Sequence, residues 1–85
     1  MMKLYTFYLS GNGRKVHMAL EEAGTQYDIV PINLMKGEQK NPEYLKLNPN
    51  GKVPTVVDDG LVMWESIAIL LYLAEKFPAA ILTRT

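Results

Sequence analysis

The chain has 85 residues with nine basic and nine acidic side chains, no cysteine, and 48% hydrophobic residues. This composition indicates one folded domain, and the balanced charge argues against a nucleic-acid partner. The lack of cysteine excludes a disulfide framework, a thiolate metal site and a dithiol redox centre, and it fits the reducing cytoplasm. No signal peptide is visible, and the longest apolar run, Ile67–Ala74, is far shorter than the roughly 20 residues of a membrane span. We therefore expect a cytoplasmic protein that does not enter a membrane.

The first part of the chain predicts a strand, a turn and a helix. Lys3–Leu9 is rich in aromatic residues, which favour strands. Ser10–Gly13 is typical of a turn. Arg14–Ala23 carries apolar residues at i, i+3, i+4 and i+7, the spacing of one helix face. Gly24 stands where a glycine commonly ends a helix.

The middle of the chain predicts an edge strand and a short helix. Tyr27–Leu34 has strand character, and Pro31, which lacks an N–H, places this strand at a sheet edge or marks a bulge. Met35–Lys40 predicts a polar loop. Asn41 followed by proline fits a helix N-cap with proline at the first helical position, so we expect a helix over Pro42–Leu47.

The last part predicts a hairpin and a long helix. Thr55–Val57 is a β-branched run, Asp59–Gly60 is a hairpin turn signal, and Leu61–Trp64 is the return strand. A helix is expected from Ser66 to Phe77. The order β-α-β-α-β-β-α predicts an α/β fold with a mixed four-stranded sheet flanked by helices, because a βαβ unit is parallel and a hairpin antiparallel.

The final helix is apolar around nearly its whole circumference. The apolar positions are Ile67, Ala68, Ile69, Leu70, Leu71, Leu73 and Ala74. A helix apolar on all sides is buried on all sides, and one sheet covers only one of them. We therefore expect a second domain or a second subunit against it, and we expect residues 78–85 to begin a linker.

Three segments, in this order and at this spacing, resemble the N-terminal, thioredoxin-like domain of soluble glutathione S-transferases. They are KLYTFYLSGNGRKVHMALEEAG, YLKLNPNGKVPTVVDDG and ESIAILLYLAEKF. The start around Ser10, Gly13 and Arg14 is most similar to the serine-type theta, zeta and related bacterial classes. The resemblance implies a thioredoxin-like, glutathione-binding domain over residues 1–77. It also implies a homodimer, and a linker over residues 78–85 that leads to a C-terminal helical domain.

By this resemblance, Ser10 is the catalytic position. A hydroxyl there can donate a hydrogen bond to a thiolate, and the nearby helix N-terminus adds positive potential. A free thiol has a pKa of about 8.5, and each unit of lowering corresponds to about 1.4 kcal/mol in favour of the thiolate. Ser10 also fits an ordinary N-cap or turn residue. Asn12 is a second polar candidate for glutathione, and it equally fits a turn residue with left-handed φ.

Two dipeptides match the other parts of the family's glutathione site. Val53–Pro54 matches the family's cis-proline site, where the valine backbone pairs with the cysteinyl part of glutathione like an added strand. The alternative is an ordinary strand-edge proline. At Glu65–Ser66, the resemblance implies that the serine holds the γ-glutamyl carboxylate and the glutamate holds the ammonium. The alternative is a serine N-cap beside an acidic residue, which is common at helix starts.

Three further residues resemble positions that hold the glycine carboxylate of glutathione: Gln39, Lys40 and Lys52. Point cations suit a carboxylate, and the alternative is that these lysines are simply solvated. Trp64 fits the core better than a pocket wall. His17, the single histidine, is expected to be partly exposed on its helix and gives little support to a metal cluster, so we expect no metal site.

Two functions are consistent with this sequence. The first is an enzyme: the glutathione-binding half of a glutathione transferase, which activates the thiolate of its cosubstrate for attack on a small electrophile. The second is a non-catalytic, transferase-like domain used for protein association. Ser10, Glu65 and Ser66 are all present, which favours the enzyme. Because the helical domain normally supplies the electrophile pocket, we expect this chain alone to turn over weakly or not at all.

Overall fold

The computed structural model describes residues 2–77, so the linker expected over residues 78–85 lies outside the described residues. Four strands and three α-helices follow one another in the predicted order, and two short 3₁₀ turns precede the second α-helix. The elements are β1 (Met2–Thr6), α1 (Gly11–Ala23), β2 (Tyr27–Pro31), 3₁₀ turns at Leu34–Lys36 and Glu38–Lys40, α2 (Pro42–Leu47), β3 (Thr55–Asp58), β4 (Leu61–Met63) and α3 (Ser66–Lys76).

The sheet is mixed, as predicted, with the strand order β2-β1-β3-β4. β1 is parallel to β2 and antiparallel to β3, and β3 forms the antiparallel hairpin with β4. Pro31 ends the edge strand β2 opposite Thr6, where a missing N–H costs no ladder bond to a further strand. The hairpin turn has positive φ at Asp59 (49°) and Gly60 (92°), in line with the predicted turn chemistry. The thioredoxin-like α/β fold is therefore confirmed.

The core lies between one face of the sheet and the pair α1 and α3, which pack against each other. Strand residues alternate in burial, so that Met2 and Leu4 point into the core while Lys3 is exposed. The helices contribute their periodic faces. The core residues are Met2, Leu4, Val16, Leu20, Val56, Ile69 and Leu73. This packing fixes both long helices relative to the strand ends that carry the candidate site.

The structure corrects several predicted element boundaries. β1 ends at Thr6 rather than at Leu9, and β2 ends at Pro31 rather than at Leu34. Gly11–Gly13, predicted as a turn, is the first turn of α1, because the Ser10 side chain caps the helix there. Residues 35–40, predicted as a loop, belong largely to the two 3₁₀ turns. The first of these is stabilised by the Asn33 side chain, which accepts the N–H groups of Met35 and Lys36.

The outward face of α3 is exposed in the described chain. Ile69 and Leu73 are buried, whereas Ile67 is 72% exposed and Leu71 is 66% exposed. Within residues 2–77, this helix is therefore buried on one side only, as expected where one sheet covers it and a further domain or subunit is absent. The sheet and α1 cover only the inner face, and nothing in residues 2–77 covers the outer one.

Candidate functional site

The candidate site residues lie on connections at one end of the sheet. β1 runs toward this end and leads into Ser10, while the antiparallel β3 begins there, with Thr55 opposite Tyr5. β4 ends there, with Met63 opposite Val56, and leads into Glu65. β2 is parallel to β1 and therefore also ends there, before the 3₁₀ turns. The strand directions thus gather the predicted residues from four separate segments of the chain.

Ser10 is the N-cap of α1. Its backbone is extended, and its Oγ accepts a hydrogen bond from the Gly13 N–H at 3.0 Å. Its carbonyl accepts the Arg14 N–H, and its own N–H donates to the Phe7 carbonyl at 2.9 Å. The capping interpretation of Ser10 is therefore correct. Because the cap uses Oγ only as an acceptor, the hydroxyl hydrogen is left available for a donor role, and the two interpretations are compatible.

Gly13 is buried directly beneath this cap. A Cβ at this position would lie 2.0 Å from Thr6 Oγ1 and 3.3 Å from Ser10 Oγ. Cβ contacts shorter than 3.0 Å are essentially never observed, so a side chain here would have to displace the Thr6 side chain or move α1 away from β1. The glycine thus allows the helix start to approach the end of β1, which holds Ser10 at the sheet end.

Asn12 lies in the first turn of α1 and is exposed. The alternative interpretation of Asn12 as a left-handed turn residue is wrong, because Asp59 is the single non-glycine residue with positive φ among residues 2–77. Its side chain is solvent-accessible two positions after Ser10. Sequence alone could not distinguish a left-handed turn from the first turn of a helix at Asn12, since asparagine is common both in turns and near helix starts.

The Val53–Pro54 peptide bond is cis, as the resemblance implies. The segment before it is held by the buried residues Tyr44 and Asn48. The Tyr44 hydroxyl donates to the Lys52 carbonyl, and the Asn48 Nδ2 donates to the same oxygen at 2.8 Å. Both side chains also bond Thr55 Oγ1, at 2.7 Å and 3.2 Å. Burial raises the pKa of the Tyr44 phenol, which keeps it protonated as a donor.

Tyr44, Asn48 and Thr55 were missed as site-supporting residues by the sequence interpretation. Each is almost fully buried. The only signal in the sequence is a polar group in each of three residues around a proline-containing loop. Which hydrogen-bond partners these side chains find depends on how α2 packs against the loop. No local sequence pattern encodes that packing.

Gln39 and Lys40 are brought next to the loop that carries Lys52. A Cβ on Gly51, where φ is +61°, would lie 3.1 Å from the Gln39 carbonyl oxygen and 3.3 Å from Lys40 Nζ. The Lys40 and Lys52 side chains are exposed, and neither forms an ion pair with another residue in 2–77. The side-chain oxygen of Gln39 is buried without a hydrogen-bond partner among the same residues. Lys40 Nζ and the Gln39 backbone carbonyl thus lie beside Gly51, the residue that precedes Lys52.

Glu65 and Ser66 form the start of α3. Glu65 is the N-cap, with extended backbone and no side-chain cap hydrogen bond, and Ser66 is the first helical residue. The alternative that Ser66 is itself the N-cap is therefore wrong. The Glu65 carbonyl accepts the Ile69 N–H at 2.8 Å, so the helix begins regularly. The exposed Glu65 carboxylate and the half-buried Ser66 hydroxyl are at a helix end whose dipole favours an anion.

Trp64, expected in the core, is 38% exposed beside this helix start. His17 is partly exposed, as predicted, with its Nε2 3.6 Å from a Glu21 carboxylate oxygen.

Two clefts, of about 420 Å³ and 460 Å³, lie toward the β2 side of the sheet. Neither is lined by Ser10 or Ser66.

Two features, a metal-ligand cluster and a membrane-spanning helix, are absent from residues 2–77. Within that range, no group of three or more histidine, cysteine, aspartate or glutamate side chains is placed to hold a metal ion. No helix in the same range has the length and apolarity that are needed to cross a membrane.

Comparison with known proteins identifies the family. Residues 1–75 match the glutathione S-transferase N-terminal domain. The zeta-class glutathione S-transferase of Euphorbia esula is 49% identical over 77 residues, which cover 91% of this chain and 34% of the relative. The maleylacetoacetate isomerase of Pseudomonas aeruginosa is 45% identical over 80 residues, covering 91% of this chain and 38% of the relative. The zeta-class relatives agree with the serine-type resemblance.

A solved structure gives the same result. The crystal structure of a glutathione transferase homologue from Sulfitobacter, with bound glutathione, has a TM-score of 0.87 at 34% identity. The match covers 94% of this chain and 38% of that chain. This chain therefore spans little more than a third of the length of these relatives. From the match over residues 1–75 and the shared fold, the chain belongs to the family of glutathione S-transferase N-terminal domains.

Proposed function

We propose that this chain is the glutathione-binding half of a glutathione transferase, in which the bound thiolate attacks a small electrophile. The observation that carries the proposal is the convergence of Ser10, Val53 and Ser66 at one end of the sheet. These residues come from three separate connections, and each offers the group that one part of glutathione needs.

The start of α3 is proposed to bind the γ-glutamyl end. The first N–H groups of a helix have no partner within the helix, so a carboxylate there gains hydrogen bonds and a favourable dipole. Ser66 adds a hydroxyl, and Glu65 supplies a carboxylate for the ammonium group. The absence of a side-chain cap at Glu65 supports this role, because no glutamate oxygen occupies the N–H groups of the first turn.

The middle and the glycine end are proposed to bind along the preceding loop. The Val53 N–H and C=O are the groups that would pair with the cysteinyl backbone, and Tyr44 and Asn48 hold the loop from behind through the Lys52 carbonyl. Lys40 and Lys52 would hold the glycine carboxylate by charge, with Gln39 as a hydrogen-bonding neighbour.

Ser10 is the proposed catalytic residue, and Asn12 is a second polar contact. The thiol of glutathione would lie near the start of α1, where the Ser10 hydroxyl donates to the thiolate. A hydrogen bond to the charged form, together with the helix dipole, lowers the thiol pKa and raises the thiolate fraction at neutral pH. The protein then activates a nucleophile that its cosubstrate carries. The reaction would be conjugation or isomerisation, and the second activity is in line with the isomerase among the relatives.

The complete protein is proposed to contain a C-terminal helical domain and to form a cytoplasmic homodimer. The exposed outer face of α3, with Ile67 and Leu71, supports a covering domain or subunit. The relatives are long enough to provide one, since this chain spans little more than a third of their length. The electrophile would then bind between the two domains. We expect the isolated 85 residues to bind glutathione with weak or no turnover.

The experiment is calorimetric titration of glutathione into the protein and into its Ser66→Ala and Glu65→Gln variants. Each variant is expected to bind at least about tenfold more weakly, because a hydrogen bond to a charged group contributes about 1.5–3 kcal/mol. Ser10→Ala, titrated at a pH below the pKa of the bound thiol, is the matched control: it also removes a helix-start hydroxyl, but affinity should change little there because the thiol is not ionised. Unchanged affinity in both α3 variants would contradict the proposed γ-glutamyl site.

The alternative, a non-catalytic association domain, is tested by activity. The complete protein and its Ser10→Ala variant are assayed against a panel of electrophiles with glutathione. A transferase should lose at least about tenfold in rate in the variant, as each unit of thiol pKa corresponds to a tenfold change in thiolate. Binding of glutathione without activity toward any electrophile in the panel would favour the association domain.

A further inference from the structure

Thr6 carries a buried hydroxyl that the proposed function does not use. It is the last residue of β1 and is only 8% exposed. Its Oγ1 has no hydrogen-bond partner among residues 2–77. Its side chain is on the same face of the strand as Met2 and Leu4, which belong to the hydrophobic core. Burying a hydroxyl without a partner costs about 1–3 kcal/mol, so its retention here requires an explanation.

This hydroxyl lies close to the Ser10 hydroxyl. The position that a Cβ on Gly13 would take is 2.0 Å from Thr6 Oγ1 and 3.3 Å from Ser10 Oγ. The two hydroxyl oxygens are therefore separated by no more than the sum of these distances. That separation is shorter than the roughly 5.6 Å that one bridging water spans with two ordinary hydrogen bonds.

The hydrogen-bonding capacity of Ser10 determines what Thr6 can do. A serine hydroxyl has one hydrogen to donate and two lone pairs to accept. The Gly13 N–H occupies one lone pair at 3.0 Å. The second lone pair and the hydrogen are left, and the hydroxyl can still rotate between different arrangements. A donor that occupies the second lone pair of Ser10 Oγ leaves the hydroxyl hydrogen to point in the remaining direction.

We propose that Thr6 is a positioning residue that donates, through one water, to the second lone pair of Ser10 Oγ. This inference rests on the proposed function, since its consequence concerns the thiol of bound glutathione. With both lone pairs occupied from inside the protein, the Ser10 hydrogen points outward, toward the sulfur. The two donors also polarise the Ser10 O–H bond, which strengthens its hydrogen bond to a thiolate.

The test compares Thr6→Val, which removes the hydroxyl at nearly constant volume, with Thr6→Ser, which keeps it. In the complete protein, the pKa of the bound glutathione thiol is measured from thiolate ultraviolet absorbance against pH. Thr6→Val should raise this pKa. At a pH below the wild-type pKa, the thiolate fraction of the variant should be about threefold lower than that of the wild type. Thr6→Ser should titrate as the wild type does. An unchanged thiol pKa in Thr6→Val overturns the inference.

Two controls separate positioning from a general structural effect. In a Ser10→Ala background, Thr6→Val should leave the thiol pKa unchanged, because Thr6 acts only through Ser10. An effect that persists in that background overturns the inference. Affinity for S-methylglutathione, which has no thiol to ionise, should stay within about twofold of wild type. Thr6→Ala replaces Thr6→Val in all measurements if the valine variant does not fold.

Thermal unfolding without glutathione gives an independent readout. If Thr6 bonds toward Ser10, the Thr6→Val and Ser10→Ala losses in Tm should not be additive. If the Thr6 hydroxyl has no partner, Thr6→Val should raise Tm and add independently to Ser10→Ala, which overturns the inference. Failure of the wild-type protein to bind glutathione overturns the proposed function instead. The two failures are therefore distinguishable.

Discussion

The two long helices α1 and α3 lie side by side on one face of the sheet, and they differ both at their starts and on their outer faces. At the start of α1, the Ser10 side chain caps the Gly13 N–H, whereas at α3 the N-cap Glu65 makes no side-chain cap hydrogen bond. A capped start fixes its own serine, and an uncapped start leaves N–H groups for another acceptor. The comparison supports the proposed roles, in which α1 holds Ser10 in place and α3 is open to a ligand carboxylate.

The outer faces of α1 and α3 also differ, in the polarity of their exposed side chains. The exposed positions of α1 are mainly charged, as at Arg14 and Lys15, with Met18 as an exception. The exposed positions of α3 are mainly apolar, as at Ile67 and Leu71. Charged side chains are stable in water, whereas a stripe of large apolar side chains on one helix marks a contact surface. The proposed second domain or subunit is therefore expected at α3 more than at α1.

The largest expected effect contrasts the inner and outer faces of α3. Leu73 is fully buried in the core, so Leu73→Ala should lower the free energy of unfolding by about 2–5 kcal/mol. Leu71→Ala is the matched control on the same helix. In the 85-residue chain it should change stability by no more than about 0.5 kcal/mol, because the side chain is exposed.

Urea denaturation of both variants measures this contrast, first in the 85-residue chain and then in the complete protein. If a domain or subunit covers α3, Leu71→Ala should become clearly destabilising in the complete protein. An equally small effect in both proteins would show that the outer face of α3 stays exposed.

A smaller effect is expected at the start of α1. Gly13→Ala would place a Cβ 2.0 Å from Thr6 Oγ1, and overpacking of this kind typically costs about 1–3 kcal/mol. Gly11→Ala is the control in the same helical turn, because a Cβ there meets no atom within 4 Å. Replacing an exposed helical glycine by alanine should instead stabilise by up to about 1 kcal/mol. Equal behaviour of the two variants in urea denaturation would contradict the close approach of α1 to β1.

The smallest expected effect concerns the end of α3 and depends on pH. The buried Asp58 carboxylate on β3 accepts hydrogen bonds from Lys76 Nζ at 2.7 Å and from the Tyr72 hydroxyl at 2.6 Å. These bonds hold the pKa of Asp58 below its ordinary value, with the lysine as the larger cause. A lowered pKa in the folded state means that the stabilisation is present above the unfolded-state pKa of about 3.9. It is lost as pH falls through the folded-state value.

The measurement is Tm against pH for wild type and for Asp58→Asn. The variant should melt several degrees lower at pH 7, and the difference should shrink as the pH falls below about 4. Tyr72→Phe serves as a control that keeps the ion pair, so its Tm difference from wild type should be smaller than that of Asp58→Asn. A pH-independent difference for Asp58→Asn would mean that the ion pair does not anchor α3 to β3.

Local patterns were sufficient to predict the elements and their order. Gly24 was predicted to end α1, and it adopts the left-handed conformation there. The turn at Asp59–Gly60 was predicted from its residue types alone. The start of α1 was missed, because serine, glycine and asparagine occur both in turns and at helix starts, and only the Gly13 N–H that reaches Ser10 Oγ distinguishes the two.

The sequence by itself determined the α/β class, the strand directions and the chemistry available at Ser10, Val53, Glu65 and Ser66. Periodicity and turn residues depend on interactions within a few residues, which a sequence displays directly. Only the tertiary structure decided what lies around those residues: Thr6 close to Ser10, and Tyr44 with Asn48 behind the Lys52 carbonyl. These contacts join different elements, and they depend on how the helices pack on the sheet, which no local pattern specifies.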